Sequence, residues 1–377
     1  MPRRRLLYLH DGKSLYDLFF LNFLKGHFDV VFGTFSRSGA SSIARQTGLR
    51  TVFLGGPPLE LPVHDMVKAL LLSPLRTFRL KFPPVPLDAD LTLACWATTY
   101  GVCTYAAGIR PYGLVTWGSD VLIHPSYPPL RVMASQAIKG SSRIYVDSRA
   151  ELKAVVGLGA QARKVVSFPR FDLEYVKGHM AAKEACKEKL GLKGREVVIF
   201  DRAHDPVHDP LTMIEAIPDI VSGHPDVVVL IAGAGRLTRA MKFRASSLAV
   251  AGRTMFLGHL TRGELLDYVG ASDVYVSTSR SDGTSSSLLE AMALGAVPVV
   301  TSIPGNLEWI EEGVDGFLFP VGSSVELSRK VKTLLESEGL RNGMGETALA
   351  TVRERVDWAS SSQRFLASLS EMMADRL

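Results

Sequence analysis

Short apolar runs alternate with longer amphipathic stretches through the first half of the chain. Helical stretches such as Leu15–Leu24 and Leu130–Lys139 lie between several of these runs. Short buried strands that alternate with helices predict a parallel, doubly wound α/β sheet. The predicted strands are Leu6–His10, Asp29–Thr34, Thr51–Leu54, Leu91–Cys95, Gly113–Trp117, Arg143–Val146 and Val165–Phe168.

The same alternation starts again in the second half, after a polar stretch at Asp172–Ala182. We therefore predict two Rossmann-like domains, 1–172 and 173–359, with a ligand in a cleft that both sets of strand ends face. The second set of predicted strands is Val197–Phe200, Val227–Ile231, Thr254–Leu257, Val274–Ser277, Val297–Thr301 and Gly316–Phe319.

Composition agrees with two globular domains. The chain has 377 residues, of which 46% are hydrophobic and 21% charged, and this length exceeds that of one ordinary core. Three cysteines without metal-ligand spacing favour a reducing, cytoplasmic setting. No apolar run is long enough to predict a membrane-spanning helix, and the run Leu6–Leu9 is too short for a signal peptide.

The charge balance is mildly basic, with 43 Lys and Arg against 38 Asp and Glu and a net charge of +5. This excess is compatible with phosphorylated ligands or an anionic membrane surface. No basic-aromatic interleaving or known binding motif points to nucleic acid, so we expect no nucleic-acid partner.

Segment 63–84, VHDMVKALLLSPLRTFRLKFPP, mixes basic and apolar residues. Such a mixture is typical of an interfacial membrane segment, which would place the protein on the cytoplasmic face of a membrane and favour a lipid acceptor. A buried helix with an exposed basic edge, broken at Pro74, explains the same pattern. Both interpretations stay open at this point.

The most informative stretch is 272–309. An apolar strand, Val274–Ser277, leads through a polar turn and three serines into a helix, Leu288–Leu294, which Gly295 closes. This arrangement directs free backbone N–H groups at the strand ends, where anions bind in parallel sheets. The small residues that would admit a phosphate are Gly283, Thr284, Ser285 and Ser286.

Two acidic residues, Asp282 and Glu290, stand eight positions apart across this turn and helix. A carboxylate accepts hydrogen bonds from a vicinal diol, so the pair suits a ligand that carries a sugar at each end of a diphosphate. The pattern resembles the acidic-x7-Glu signature of family 4 of the retaining GT-B glycosyltransferases. Residues 289–300, LEAMALGAVPVV, match closely, whereas Asp282 replaces the usual Glu and a Phe-Gly pair is missing. A core helix of any α/β protein is the alternative.

The resemblance implies a GT-B fold in which the first domain reads the acceptor and the second reads the donor, with the C-terminal helix 360–377 returning to the first domain. It also implies roles in the second domain. Asp282 would contact the donor sugar, Glu290 would hold the ribose diol, and Arg202 would bind diphosphate oxygens. The amides of residues 283–285 would line the sugar and phosphate.

His208 stands near the position where the family has a lysine, since no lysine occurs between Lys193 and Lys242. We therefore expect donor affinity to fall between about pH 6 and pH 8.5 as His208 loses its charge. A surface histidine in a turn is the alternative.

By the same resemblance, Gly233 lies near the phosphates and Gly258 beside the base, while Gly12 approaches the donor phosphate from the first domain. Trp117 replaces a histidine of the family, and Asp120 is expected to contact the acceptor. Gly305 fits a later turn and is expected to be structural.

We therefore expect a glycosyltransferase that uses a nucleotide-diphosphate sugar and a glycan or lipid-linked acceptor, with retention implied by the resemblance. No Asp-x-Asp motif occurs near these residues, so no cofactor and no obligatory metal ion are expected. Two alternatives are a nucleotide-sugar epimerase of GT-B fold and a non-catalytic nucleotide-sugar-binding protein.

Overall fold

The computed structural model describes residues 3–12, 15–54 and 89–374. Segment 63–84, for which a membrane role was considered, lies outside the described residues. The chain divides into two compact units. Unit 1 comprises Met1–Arg170 together with Ala359–Leu377, and unit 2 comprises Phe171–Trp358, so the division falls two residues before the predicted one.

Unit 1 is built on a parallel sheet of seven strands in the order β3-β2-β1-β4-β5-β6-β7. The strands are β1 (Arg5–Leu9), β2 (Asp29–Thr34), β3 (Arg50–Phe53), β4 (Leu91–Cys95), β5 (Tyr112–Val115), β6 (Arg143–Val146) and β7 (Val165–Ser167). Its helices are α1 (Leu15–His27), α2 (Arg37–Thr47), a π-helical turn (Trp96–Gly101) that runs into α3 (Val102–Ala106), α4 (Ser119–Leu122), α5 (Pro128–Gly140) and α6 (Arg149–Gly157).

Unit 2 is built on a parallel sheet of six strands in the order β10-β9-β8-β11-β12-β13. The strands are β8 (Glu196–Phe200), β9 (Val227–Ala232), β10 (Thr254–Gly258), β11 (Val274–Ser277), β12 (Val297–Thr301) and β13 (Phe317–Phe319). The helices are α7 (Leu173–Lys177), α8 (Lys183–Lys189), α9 (Pro210–Gly223), α10 (Thr238–Ser247), α11 (Arg262–Gly270), α12 (Ser286–Ala293), α13 (Pro304–Leu307), α14 (Ser324–Leu335) and α15 (Glu338–Arg355).

Helices cover both faces of the sheet in unit 2. Along β8, Val197 and Ile199 pack into the core on one face, and Val198 and Phe200 into the core on the other. Alternate residues of a strand point to opposite faces, which explains why β8 is an unbroken apolar run. The doubly wound prediction is confirmed for this unit.

The last helix, α16 (Trp358–Ala374), packs against the sheet of unit 1. The ring of Phe365 stacks on Phe168 with centroids 4.3 Å apart and meets the edge of Tyr145 at 4.7 Å. The hydroxyl groups of Tyr145 and Ser368 lie 2.9 Å apart. The predicted return of the C-terminal helix to the first domain is therefore confirmed. Among the described residues, every helix is too short or too polar to cross a bilayer.

Candidate active site

Arg202 brings together residues from two loops of unit 2. Strands β8 and β11 are neighbours in the sheet, so the loops that follow them meet at its carboxyl edge. The guanidinium of Arg202 donates hydrogen bonds to the hydroxyls of Ser285 (2.8 Å) and Ser287 (2.6 Å) and forms an ion pair with Asp282. It also lies 3.3 Å from Nδ1 of His208. Three predicted site residues, Asp282, Ser285 and His208, thus contact Arg202 directly.

Helix α12 begins beside this guanidinium. Ser285 is its N-cap, and the hydroxyl of Ser285 accepts a hydrogen bond from the backbone N–H of Leu288. The first N–H groups of a helix have no acceptor within the helix, and the helix dipole makes this end positive. Together with Arg202, the start of α12 forms a site suited to an anion.

The loop that carries Asp282 rests on Gly305 at the start of α13. A Cβ atom on residue 305 would lie 2.2 Å from the carbonyl oxygen of Gly283 and 2.6 Å from that of Asp282. No side chain fits in that space, so Gly305 fixes the position of this loop. Thr284 in the same loop receives a hydrogen bond from the indole N–H of Trp309 (3.4 Å), and Ser286 is the first residue of α12.

His208 lies in the contact network of Arg202. Burial, together with the nearby charge of Arg202, lowers the pKa of His208 to about 2. Its Nδ1 accepts from Arg202 and lies 3.1 Å from the hydroxyl of Ser279, an arrangement that suits the neutral ring. These contacts oppose a charge on His208, and the fall in donor affinity between pH 6 and pH 8.5 stays a prediction.

Glu290 lies inside unit 2, with only 1% of its surface exposed. Its Oε1 accepts two hydrogen bonds from the guanidinium of Arg262, at 3.2 Å and 3.0 Å. Arg262 in turn lies over the ring of Tyr175, 4.4 Å from its centroid. The sequence analysis did not identify Arg262, because its place at the start of α11 gives no sign that it reaches Glu290. The contact between Glu290 and a ribose stays a prediction.

Asp201 is a second residue that the sequence analysis missed. Both of its carboxylate oxygens are buried, and the hydroxyl groups of Tyr275 and Ser287 are hydrogen-bond donors beside them. A signal was available, since an acidic residue directly follows the buried strand β8.

Gly233 and Gly258 connect the next two strands to the loop of Arg202. Gly233 has φ +95°, and its N–H donates to the carbonyl oxygen of Gly258 over 2.8 Å. A Cβ atom at Gly233 would lie 2.9 Å from the carbonyl oxygen of Arg202. The expected turn at Gly233 therefore lies directly against the Arg202 backbone. The structure places Gly258 at the end of β10, at the same edge.

Asp120 in unit 1 joins two loops at the carboxyl edge of the sheet. It is fully buried, and its two oxygens accept backbone hydrogen bonds from Ala97 (2.7 Å) and Trp117 (2.9 Å). Burial raises the pKa of Asp120 to about 6, while these two hydrogen bonds oppose the rise. These contacts give Asp120 a positioning role, and its contact with the acceptor stays a prediction.

Aromatic side chains surround Trp117 at the same edge of unit 1. The rings of Trp117 and His10 stack with centroids 4.5 Å apart, and the indole N–H of Trp96 donates to Nε2 of His10 over 3.0 Å. The guanidinium of Arg170 lies 4.9 Å from the Trp117 ring. Gly12, which directly follows Asp11 after β1, is buried and has φ +71°.

Within the described ranges, no group of three or more His, Cys, Asp or Glu side chains is arranged to hold a metal ion.

Comparison with known proteins identifies the class of this site. Residues 182–351, nearly all of unit 2, match the family model described as "Glycosyl transferases group 1". The stretch includes Arg202, Asp282 and Glu290. This part of the chain is similar to the family, as its signature predicted.

Solved structures identify the fold. The chain is similar to Anabaena HepE in complex with UDP-glucose, with a TM-score of 0.77, 20% identity, and coverage of 97% of this chain and 99% of HepE. It is also similar to sucrose-phosphate synthase of Thermosynechococcus elongatus, with a TM-score of 0.79, 13% identity, and coverage of 99% and 100%. The two sheets with their flanking helices therefore have the GT-B fold.

Sequence relatives match over shorter stretches. Spore coat protein SA of Bacillus subtilis is 26% identical over 195 residues, which cover 49% of this chain and 52% of that protein. A GDP-mannose-dependent monoacylated alpha-(1-6)-phosphatidylinositol monomannoside mannosyltransferase of Corynebacterium glutamicum is 26% identical over 190 residues, 48% of this chain and 49% of the enzyme. The chain spans about half the length of these curated relatives.

Proposed function

We propose that this protein is a glycosyltransferase that moves a sugar from a nucleotide-diphosphate sugar to a hydroxyl group of an acceptor. The observation that carries this proposal is the guanidinium of Arg202, held at the start of α12 by Asp282, Ser285 and Ser287. A planar guanidinium can donate to two phosphate oxygens at once, and the N–H groups of α12 supply further donors.

The proposed reaction needs a group that stabilises a departing diphosphate. The bond between the anomeric carbon and the phosphate oxygen breaks, and negative charge accumulates on the diphosphate. Arg202 and the first amides of α12 would stabilise that charge before any group has to move. The acceptor oxygen forms the new bond to the anomeric carbon, and its proton passes to the leaving phosphate. Transfer with retention is part of the proposal and rests on the family signature.

Asp282 has a defined place in this scheme. Its ion pair holds Arg202, and its side chain remains about one-fifth exposed. It can therefore position the guanidinium and also accept a hydrogen bond from a hydroxyl group of the donor sugar.

For the acceptor we propose a glycan or a lipid-linked hydroxyl compound. The mannosyltransferase of C. glutamicum is named for a phosphatidylinositol mannoside acceptor, which supports this class. Contact of segment 63–84 with an anionic membrane on the cytoplasmic side belongs to the same proposal.

A binding panel tests the proposal. UDP-glucose, GDP-mannose and ADP-glucose are titrated into the protein, and the tightest donor is then incubated with candidate acceptors. We expect one donor to bind and to give a glycosylated product with the donor's anomeric configuration. An isomeric nucleotide sugar formed without acceptor would instead indicate an epimerase. Binding without any turnover would indicate a non-catalytic binding protein.

A further inference from the structure

Asp201 has no task in the scheme above, although it adjoins Arg202. Both carboxylate oxygens are buried, and the groups beside them that can donate a hydrogen bond include the neutral hydroxyls of Tyr275 and Ser287. Burying an ionised carboxylate that has no cation of its own is unfavourable, so burial favours its protonated form.

The charges around the start of α12 do not balance when Asp201 is ionised. Arg202 pairs with Asp282, and Arg262 pairs with Glu290. Asp201 is therefore a third carboxyl group in this cluster, and the guanidinium that it adjoins, that of Arg202, already has a carboxylate partner. Its ionised form leaves this cluster with one negative charge in excess, which opposes the binding of a diphosphate at Arg202. Its protonated form removes that charge.

Burial raises the pKa values of two carboxyl groups beside Arg202, those of Asp201 and Asp282, and Asp282 has the ion pair with Arg202. Burial raises the pKa of Asp201 to about 7, with Arg202 opposing the rise and Glu290 adding to it. Burial lowers the pKa of His208, and it also lowers the pKa of His204, whose Nδ1 lies 2.8 Å from a threonine hydroxyl. The hydroxyl groups on the side of β11 and α12 belong to Tyr275 and Ser287, which lie 2.9 Å apart.

We propose that Asp201 is a further residue of the donor site, and that the diphosphate binds to the form of the protein in which this carboxyl group is protonated. The inference rests on the proposed function and deepens it. When the ionised form binds the donor, Asp201 takes up one proton from solvent and no other bond changes. The neutral carboxyl group does not repel the diphosphate, whereas the buried carboxylate does.

The sign of the pH dependence follows from this linkage. A bound diphosphate favours the neutral carboxyl group, so the pKa of Asp201 is higher in the complex than in the free protein. Affinity is then constant below about pH 7, where both states are protonated. Above that pH it falls by up to about tenfold per pH unit, because binding requires a proton.

The experiment compares three proteins by calorimetric titration at pH 6.5, 7.5 and 8.5: the wild type, Asp201→Asn and His208→Gln. The probe is the tightest of UDP-glucose, GDP-mannose and ADP-glucose, whose bridging diphosphates do not titrate in this range. We expect wild-type affinity to fall about 20-fold between pH 6.5 and pH 8.5. Asp201→Asn should change less than about twofold over the same range, and His208→Gln should keep the wild-type slope.

Proton uptake gives a second readout. Titrations at pH 8 in two buffers of different ionisation enthalpy should show uptake of most of one proton by the wild type and none by Asp201→Asn. A pH-independent wild-type affinity, or a slope that survives in Asp201→Asn, would overturn the role of Asp201 and leave the proposed function intact. A slope lost only in His208→Gln would assign the proton to the histidine. If none of the three donors binds at any pH, the proposed function itself fails.

A measurement without ligand tests the same carboxyl group. The pKa of Asp201 in the folded protein lies above its usual value, so its contribution to stability is complete at low pH and is lost as pH rises to about 7. The urea midpoint of Asp201→Asn minus that of the wild type should therefore increase between about pH 4 and pH 7 and should be constant above that range. A constant difference over the whole range would show that Asp201 does not titrate there.

Discussion

The pair formed by Glu290 and Arg262 allows a structural role to be separated from a binding role. Glu290 is almost fully buried and accepts two hydrogen bonds from Arg262, whose side chain is 13% exposed. Removing one partner of a buried ion pair typically costs about 3–5 kcal/mol. Because Arg262 keeps some solvent contact, we expect about 3 kcal/mol for Arg262→Gln, or roughly 150-fold in the folding equilibrium constant.

Glu290→Gln should have a smaller effect on stability and a specific effect on binding. The amide keeps an oxygen for Arg262 but loses the charge that strengthens hydrogen bonds to a ribose diol. A hydrogen bond to a charged group contributes about 1.5–3 kcal/mol, against about 1 kcal/mol for a neutral one. Two weakened bonds amount to about 1–4 kcal/mol, or roughly 5- to 900-fold in the affinity for a nucleoside diphosphate.

Pyrophosphate supplies the control for this experiment, because it has the two phosphates without the ribose. We expect Glu290→Gln to lower the affinity for the tightest-binding of UDP, GDP and ADP by the factor calculated for the two weakened hydrogen bonds. The affinity for pyrophosphate should change by less than about threefold. Arg262→Gln breaks the same ion pair but keeps the carboxylate, so it should retain more of the preference for the nucleotide. If Glu290→Gln weakens both ligands equally, or neither, Glu290 is only the structural partner of Arg262 and does not hold the ribose.

Two further predictions concern packing. Phe365→Ala in α16 removes a fully buried ring that stacks on Phe168, and it should destabilise unit 1 by about 3–5 kcal/mol. Amide hydrogen exchange should become faster in the strands of unit 1 and not in those of unit 2. Equal acceleration in both units would contradict this prediction. Gly305→Ala places a methyl group 2.2 Å from the carbonyl oxygen of Gly283 and should lower the affinity for a nucleoside diphosphate at least about tenfold. Gly339→Ala is the control, because a methyl group there meets open space and should leave the affinity unchanged. Equal affinities of the two variants would show that the loop tolerates the shift.

The fold was largely predictable because it depends on local apolar patterns. Each predicted strand appears within one or two residues of its expected place, since buried parallel strands are continuous apolar runs bounded by polar loops. The return of α16 to unit 1 followed from the family resemblance.

The candidate site was predictable only in part, because its chemistry depends on contacts between distant residues. The signature identified Arg202, Asp282 and the start of α12, which the structure brings together. It gave no sign that Arg262 pairs with Glu290, 28 positions away. The charge state of His208 also depends on burial, and burial is not readable from the residues that flank it.

Binding of a nucleoside diphosphate to Arg202→Gln tests the central claim most directly. Arg280→Gln is the matched control, since Arg280 lies in the loop of Asp282 but is 56% exposed and pairs with Asp209. Calorimetry should show at least about 100-fold weaker binding by Arg202→Gln, from the loss of two charged hydrogen bonds, and less than about threefold by Arg280→Gln. Undiminished affinity in a folded Arg202→Gln protein would show that the diphosphate does not bind at the start of α12.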